Sequence, residues 1–186
     1  MFVNPEEIIK NFEIRPGMVV ADFGCGSGRY VLAIAKKMKG FDLPVGQAGV
    51  VYAIDIQKNL LESIKLNAEK EHLADIVDII WADIEVKDGV RLATETIDLV
   101  VASNILFQIN DKESLVKEIH RVLKDGGRVA IIDWSVAGMG IAPKSLIAKK
   151  EAERIFIENG FLRAREFPAG DNHYGIIFKK LQPNSS

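Results

Sequence analysis

The stretch VVADFGCGSGRY, Val19 to Tyr30, decides the fold. An apolar run ends at an acid, Asp22, and three glycines follow at alternate positions, Gly24, Gly26 and Gly28. This reads as a buried strand, a tight turn and the first residues of a helix. Glycine permits positive φ and lets a ligand approach the backbone without meeting a Cβ. The free N–H groups of a helix start then face that ligand. In an open α/β sheet such a turn lies beyond the carboxyl ends of the strands, where ligands bind. A tight turn alone would need fewer glycines, so the spacing favours a ligand site.

Working outward, apolar strands alternate with helices. NPEEII, from Asn4, carries a cap, a first-turn proline and two acids at the positive end, and the helix is expected over Asn4 to Phe12. A helix is expected from Ser27 to Met38, with Val31, Leu32, Ala35 and Met38 on one face. Then come strand VVYAID, a helix with Leu60, Ile64 and Ala68 four apart, and strands IVDII and IDLVVAS. Asp111 caps a helix running to about Leu123, which KDGG stops before strand RVAIID. A loop, Trp134 to Pro143, precedes a helix from about Lys144 to Asn159. The last two strands, FLRAREF and HYGIIFKK, are separated only by Pro168 to Asn172. A parallel pair needs a crossover of a dozen residues or more, so this pair must be antiparallel. Near-continuous apolar strands imply a sheet covered on both faces. Residues 1–186 are therefore expected to form a single α/β domain, with 1–14 as an N-terminal helix and candidate lid and 181–186 as a frayed tail.

Composition narrows the function classes. The chain has 186 residues, is 48% hydrophobic and carries a net charge of -2, which gives no reason to expect nucleic acid or an anionic membrane. One cysteine, Cys25, excludes an internal disulfide, and three scattered histidines argue against a metal cluster. With no signal peptide and no long apolar run, the sequence reads as a cytoplasmic, soluble protein, with homo-oligomerisation left open.

The glycine spacing departs from the dinucleotide fingerprint G-x-G-x-x-G: the third glycine comes one residue early and Arg29 stands in its place. Asp22 would repel a pyrophosphate and welcome a cation. Asp55 ends the second strand, where an acceptor-only carboxylate can take both hydroxyls of a ribose. Asp83 follows the third strand and can accept from an exocyclic purine amine, with Ile56 and Ile84 flanking the ring. Singly, Asp55 could cap the next helix and Asp83 could be a turn residue. Three acids at three successive strand ends make coincidence a poor account.

These residues resemble the class I S-adenosylmethionine (SAM)-dependent methyltransferases, in particular the small enzymes similar to the ubiquinone/menaquinone-biosynthesis C-methyltransferases. Asp22-x-Gly24-x-Gly26-x-Gly28, with Cys25 inside it, matches the first motif. Asp55 with Ile56 matches the ribose acid, and Asp83-Ile84 matches the adenine pair, the Ile84 N–H being the ring's donor. IDLVVASNILFQI and RVLKDGGRVAIIDW resemble later motifs, and Asn104 matches a position whose carbonyl contacts the methionine amine. The resemblance implies a Rossmann-like, seven-stranded, mostly parallel sheet of order 3-2-1-4-5-7-6 with strand seven antiparallel. It implies SAM as cofactor, S-adenosylhomocysteine as product and a small-molecule acceptor, with carbon and oxygen both open. It does not imply a metal.

On the acceptor side, strand four ends at Ser103-Asn104, strand five at Asp133-Trp134, and the antiparallel strand brings Asn172-His173-Tyr174 to the same edge. Asp133 is a base, an orienting acceptor or a structural acid, and His173, the histidine placed at the edge, is either a catalytic or a structural residue. The loop Trp134 to Pro143, with Gly138 and Gly140, is expected to move and order with substrate. Two rivals stand beside this reading: a SAM-binding module without transfer activity, and a nicotinamide-dependent oxidoreductase.

Overall fold

The computed structural model describes residues 4–44, 47–135 and 146–182. Seven strands form one sheet: β1 (Met18–Phe23), β2 (Gly49–Asp55), β3 (Val77–Trp81), β4 (Ile97–Ser103), β5 (Leu123–Trp134), β6 (Phe161–Pro168) and β7 (His173–Lys180). Their order is β3-β2-β1-β4-β5-β7-β6, and β7 runs antiparallel to both β5 and β6. This is the expected topology. The helices are α1 (Pro5–Ile8), α2 (Arg29–Lys39), α3 (Lys58–Lys70), α4 (Lys112–Val122) and α5 (Lys149–Glu158).

The two faces of the sheet carry separate apolar layers. Ile8, Phe12, Val31, Ile34 and Ile64 pack on one face, from α1, α2 and α3 and the turn after α1. Leu115, Ile119, Ala152 and Phe156 of α4 and α5 pack on the other. Strands β1 and β4 lie centrally in the sheet and are almost wholly buried. That burial fixes the carboxyl edge of β1, on which the glycine turn sits.

Local chemistry sets the element ends. Asn4 Oδ1 accepts from Glu6 N at 3.1 Å and Pro5 occupies the first turn, as expected. α1 is short, however, and a 3₁₀ turn, Ile9–Phe12, completes the segment. Its buried Ile8, Ile9 and Phe12 fasten it to the core. Asp111 Oδ1 caps α4 through Ser114 N at 3.0 Å. On α3 the core contact is Leu61 with Ile64 and Ala68, while Leu60 is half-buried. α2 begins at Arg29, two residues later than expected, because Gly28 is its left-handed N-cap with φ 74°.

KDGG does more than stop a helix. β5 starts at Leu123, directly after α4. Leu123 pairs with Ile97, and the next regular pair is Arg128 with Leu99, so Lys124–Gly127 bulge out of the ladder. Gly126, with φ 73°, makes that detour possible. α5 starts at Lys149, later than the expected Lys144, because Ala148 is still extended at its N-cap. The loop expected from Trp134 starts later, because Trp134 still pairs with His173 as the last residue of β5; its residues 136–143, with Gly138 and Gly140, lie outside the described residues, as do Lys144 and the end of the tail.

Candidate functional site

The turn after β1 is tied to β2. Gly24 N and Cys25 N both donate to Ile54 O, at 2.9 and 3.0 Å, and Gly26 N donates to Asp55 Oδ2 at 2.9 Å. The glycines have different jobs. A Cβ on Gly28 would sit 2.5 Å from Ile64 Cγ1, so this glycine lets α3 close on the turn. A Cβ on Gly24 would sit 2.6 Å from Ile105 Cδ1. A Cβ on Gly26 would meet nothing within 4 Å, so its bare backbone faces open space.

That space is a cleft in two halves. One, of about 240 Å³, is lined by Asp22, Gly24, Cys25, Gly26, Tyr30 and Asn104, with Pro5 of α1 in its wall. The other, of about 290 Å³, is lined by Asp55, Ile56, Asp83, Ile84, Ile105 and the same two glycines. Gly24, Gly26 and Gln108 belong to both halves and make them continuous. The structure therefore gathers all but one of the expected cofactor residues along one edge. Gly28 is the exception, since it supports the turn from below.

The three acids differ in state. Asp22 is buried, and burial, reinforced by the Asp55 charge, pushes its carboxyl up to about 8. Near neutral pH it holds a proton that a bound cation would displace. Asp55 uses Oδ2 on Gly26 N and Oδ1 on Gln57 N, at 2.9 Å each. Each oxygen keeps a second lone pair for a ligand hydroxyl. The same carboxylate ties the entry to α3 through the N–H of its N-cap, Gln57, without capping the helix itself. Asp83 Oδ1 accepts from Glu85 N at 2.9 Å, a local turn that aims the acid along the cleft. Burial pushes the Cys25 thiol far up, so it stays neutral and serves as a small wall residue.

Two residues that sequence reasoning missed, Gln108 and Glu85, complete the outer wall around Asn104. Asn104 takes the left-handed conformation, φ 55°, with its N–H on Ile132 O at 2.8 Å. Its carbonyl accepts from Gln108 Nε2 at 2.7 Å, and its Oδ1 is buried without a partner among the described residues. Gln108 is the one polar residue in the apolar run 105–109, which is the signal that marks it. Glu85 Oε2 accepts from Asn110 N and Asp111 N, at 3.1 and 3.4 Å, clasping this wall to the segment after β3.

Asp133 and His173 line neither half of the cleft. Asp133 is fully buried, accepting from Leu106 N at 2.9 Å and Trp134 N at 2.8 Å, and burial raises its carboxyl to about 6. His173 pairs with Trp134 across β5 and β7 and packs on its ring at 4.1 Å. Both ring nitrogens of His173 are buried without partners among the described residues, and burial lowers its pKa. No group of His, Cys, Asp and Glu among the described residues could hold a metal ion, and no helix there is long and apolar enough to cross a membrane.

A methyltransferase domain model matches residues 14–168. This chain belongs to the methyltransferase domain family. The methyltransferase domain is 30% identical over 129 residues to a 2-phytyl-1,4-naphtoquinone methyltransferase of Nostoc punctiforme, covering 69% of this chain and 52% of that protein. It is 31% identical over 122 residues to the ubiquinone/menaquinone biosynthesis C-methyltransferase UbiE of Hydrogenovibrio crunogenus, covering 66% and 44%. A crystal structure of a SAM-dependent methyltransferase from Aquifex aeolicus superposes with a TM-score of 0.82 at 26% identity, covering 97% of this chain and 91% of that one. The chain spans about half the length of these curated relatives. The family assignment removes the nicotinamide-dependent rival, and it lends nothing to a module without transfer activity.

Proposed function

We propose that this methyltransferase domain transfers a methyl group from SAM to a small aromatic acceptor of the reduced-quinone kind. The observation that carries the reading is the single cleft with Asp22 in one half and Asp55 and Asp83, beside the wall residue Glu85, in the other. A cationic amino-acid end suits the first half, where Asp22, the Asn104 carbonyl and Gln108 converge. Asp55 suits a ribose diol. Asp83 and the Ile84 N–H suit an adenine edge, with Ile56 and Ile105 against its faces. SAM supplies a methyl carbon already made electrophilic by a sulfonium.

What the chain must add is alignment and exclusion of water. Gly26 allows close approach, and Ile105 of the wall 104–109 packs on Gly24 beside it. Asp133 is read as the positioning acid that holds this wall through Leu106 N. His173, kept neutral by burial, stands outside the cofactor cleft at the β5–β7 edge and is read as the base on the acceptor side: an aromatic carbon that takes a methyl must release a proton, and a neutral imidazole that the acceptor reaches at this edge can accept it. The names of the two quinone-methylating relatives support a quinol acceptor. The reading keeps nucleic acid out of the partner set and puts the protein's work in the cytoplasm.

Calorimetric titration tests it. One equivalent of SAM or S-adenosylhomocysteine should bind, and Asp55→Ala should weaken SAM by about tenfold or more through lost charge-assisted bonds. Wild-type affinity in that variant removes the ribose assignment, and no binding of either nucleoside removes the whole reading. Incubation with SAM and a reduced demethylnaphthoquinone should yield the methylated product by mass spectrometry, and His173→Gln should slow turnover while leaving SAM affinity intact.

A further inference from the structure

At the opposite edge of the sheet from the cleft lies a second cavity, of about 410 Å³, lined by Arg15, Arg128, Arg165 and Lys179 around one carboxylate, Glu13. Strand register explains how these residues meet. Arg128 of β5 stands directly opposite Lys179 of β7. Like charges directly opposite each other on one face are destabilising. On the other side of β7 the register slips at Ala164, so Arg163 opposes Phe178 and Arg165 opposes Ile177. Opposed residues share a face. The bulge therefore turns Arg163 towards the α4 and α5 layer and Arg165 towards the face that bears Arg128 and Lys179.

The available negative charge is too small for this set. Glu13 binds Arg128 at 2.8 Å and Arg165 at 3.4 Å, and Arg165 also donates to Asn11 O. Neither Arg15 nor Lys179 makes an ion pair among the described residues. Arg128 has only 15% of its side chain exposed. Burial, and then the Arg15 and Arg165 charges, pull its guanidinium below the ordinary range against the pull of Glu13. Protection of a sheet edge accounts for charge on β6, which is an edge strand. It does not account for Arg128 and Lys179, since β5 and β7 are interior strands.

We propose that Arg128, Lys179 and Arg165, with Arg15 at the rim, form a binding site for a phosphate-bearing anion, remote from the methyl-transfer cleft. Guanidinium forks match phosphate oxygens bidentately, and Lys179 adds a mobile point charge. The phosphate belongs either to a soluble phosphoester or to the headgroup of an anionic lipid. The inference does not depend on the cofactor assignment.

The test uses the full chain with two probes. Pyrophosphate is titrated by calorimetry at low salt, and cosedimentation is measured with phosphatidylcholine vesicles with and without phosphatidylglycerol. The variants are Arg165→Gln and Lys179→Gln, with Lys65→Gln on the exposed face of α3 as an equal change of charge elsewhere. Wild type and Lys65→Gln should bind alike, and each site variant should lose about tenfold. Pyrophosphate binding without cosedimentation supports the site with a soluble phosphate as source. Cosedimentation that needs phosphatidylglycerol and is lost in Lys179→Gln supports it with a headgroup as source. No binding of either probe by wild type overturns the proposal, and so does a loss in Lys65→Gln equal to that in Lys179→Gln.

Discussion

Asp22 is the residue on which the cleft's electrostatics turn. Its carboxyl stands near 8 rather than in the ordinary range, so without a bound cation the acid is neutral at pH 7. A sulfonium or ammonium favours the ionised form, and binding then releases a proton. The Asp22 contribution to SAM affinity should rise about tenfold between pH 7 and pH 9 and flatten beyond, as linkage requires for one group. A calorimetric series reads it as the ratio of wild-type to Asp22→Asn affinity, and a ratio constant with pH would sink it. The sign for stability is opposite. The unfolded acid ionises at its ordinary value, so the ligand-free protein loses stability as pH rises from about 4 towards 8. The glycines divide at the same scale. Gly28→Ala forces both a left-handed alanine and a clash with Ile64, and should cost about 2 kcal/mol or more by thermal unfolding. Gly26→Ala meets no neighbour, so it should cost about 1 kcal/mol in stability but at least tenfold in SAM affinity. Equal losses in the two variants would refute this division of labour.

At the scale of elements, the alternation of apolar strands and amphipathic helices is legible because the central strands are buried on both faces. The short gap between β6 and β7 is legible because only an antiparallel return fits it. The acids Asp22, Asp55 and Asp83 are legible because each stands at the carboxyl end of a strand. Glu85 is not, because its partners, the N–H groups of Asn110 and Asp111, lie 25 and 26 residues away and meet it only in space. The bulges in β5 and β6 are hidden for a related reason, since a register slip is a property of two strands together. The clasp has a measurable role. Glu85→Ala should cost about 1 kcal/mol and raise hydrogen exchange across 104–111, with nucleoside affinity falling several-fold. Unchanged exchange in that segment would leave the wall standing without its clasp.

Across the whole molecule, net charge is a poor guide to local charge. A value of -2 gives no hint that residues 15, 128, 165 and 179 share one cavity, because only the antiparallel strand brings them together. The edge that bears the cleft is legible because its residues come from consecutive β–α units. The cationic edge is not, because its residues come from four separate places in the chain. The position of β7 has a further consequence, for the order of synthesis. β6 hydrogen-bonds to β7 and to no other strand, and β7 is the last of the seven to leave the ribosome. Until then β5 offers a bare edge and β6 hangs unpaired, a state prone to self-association. A chain halted after Ala169 should therefore sediment as aggregate where the full chain stays monodisperse, and adding back a peptide of residues 170–182 during refolding should recover part of it.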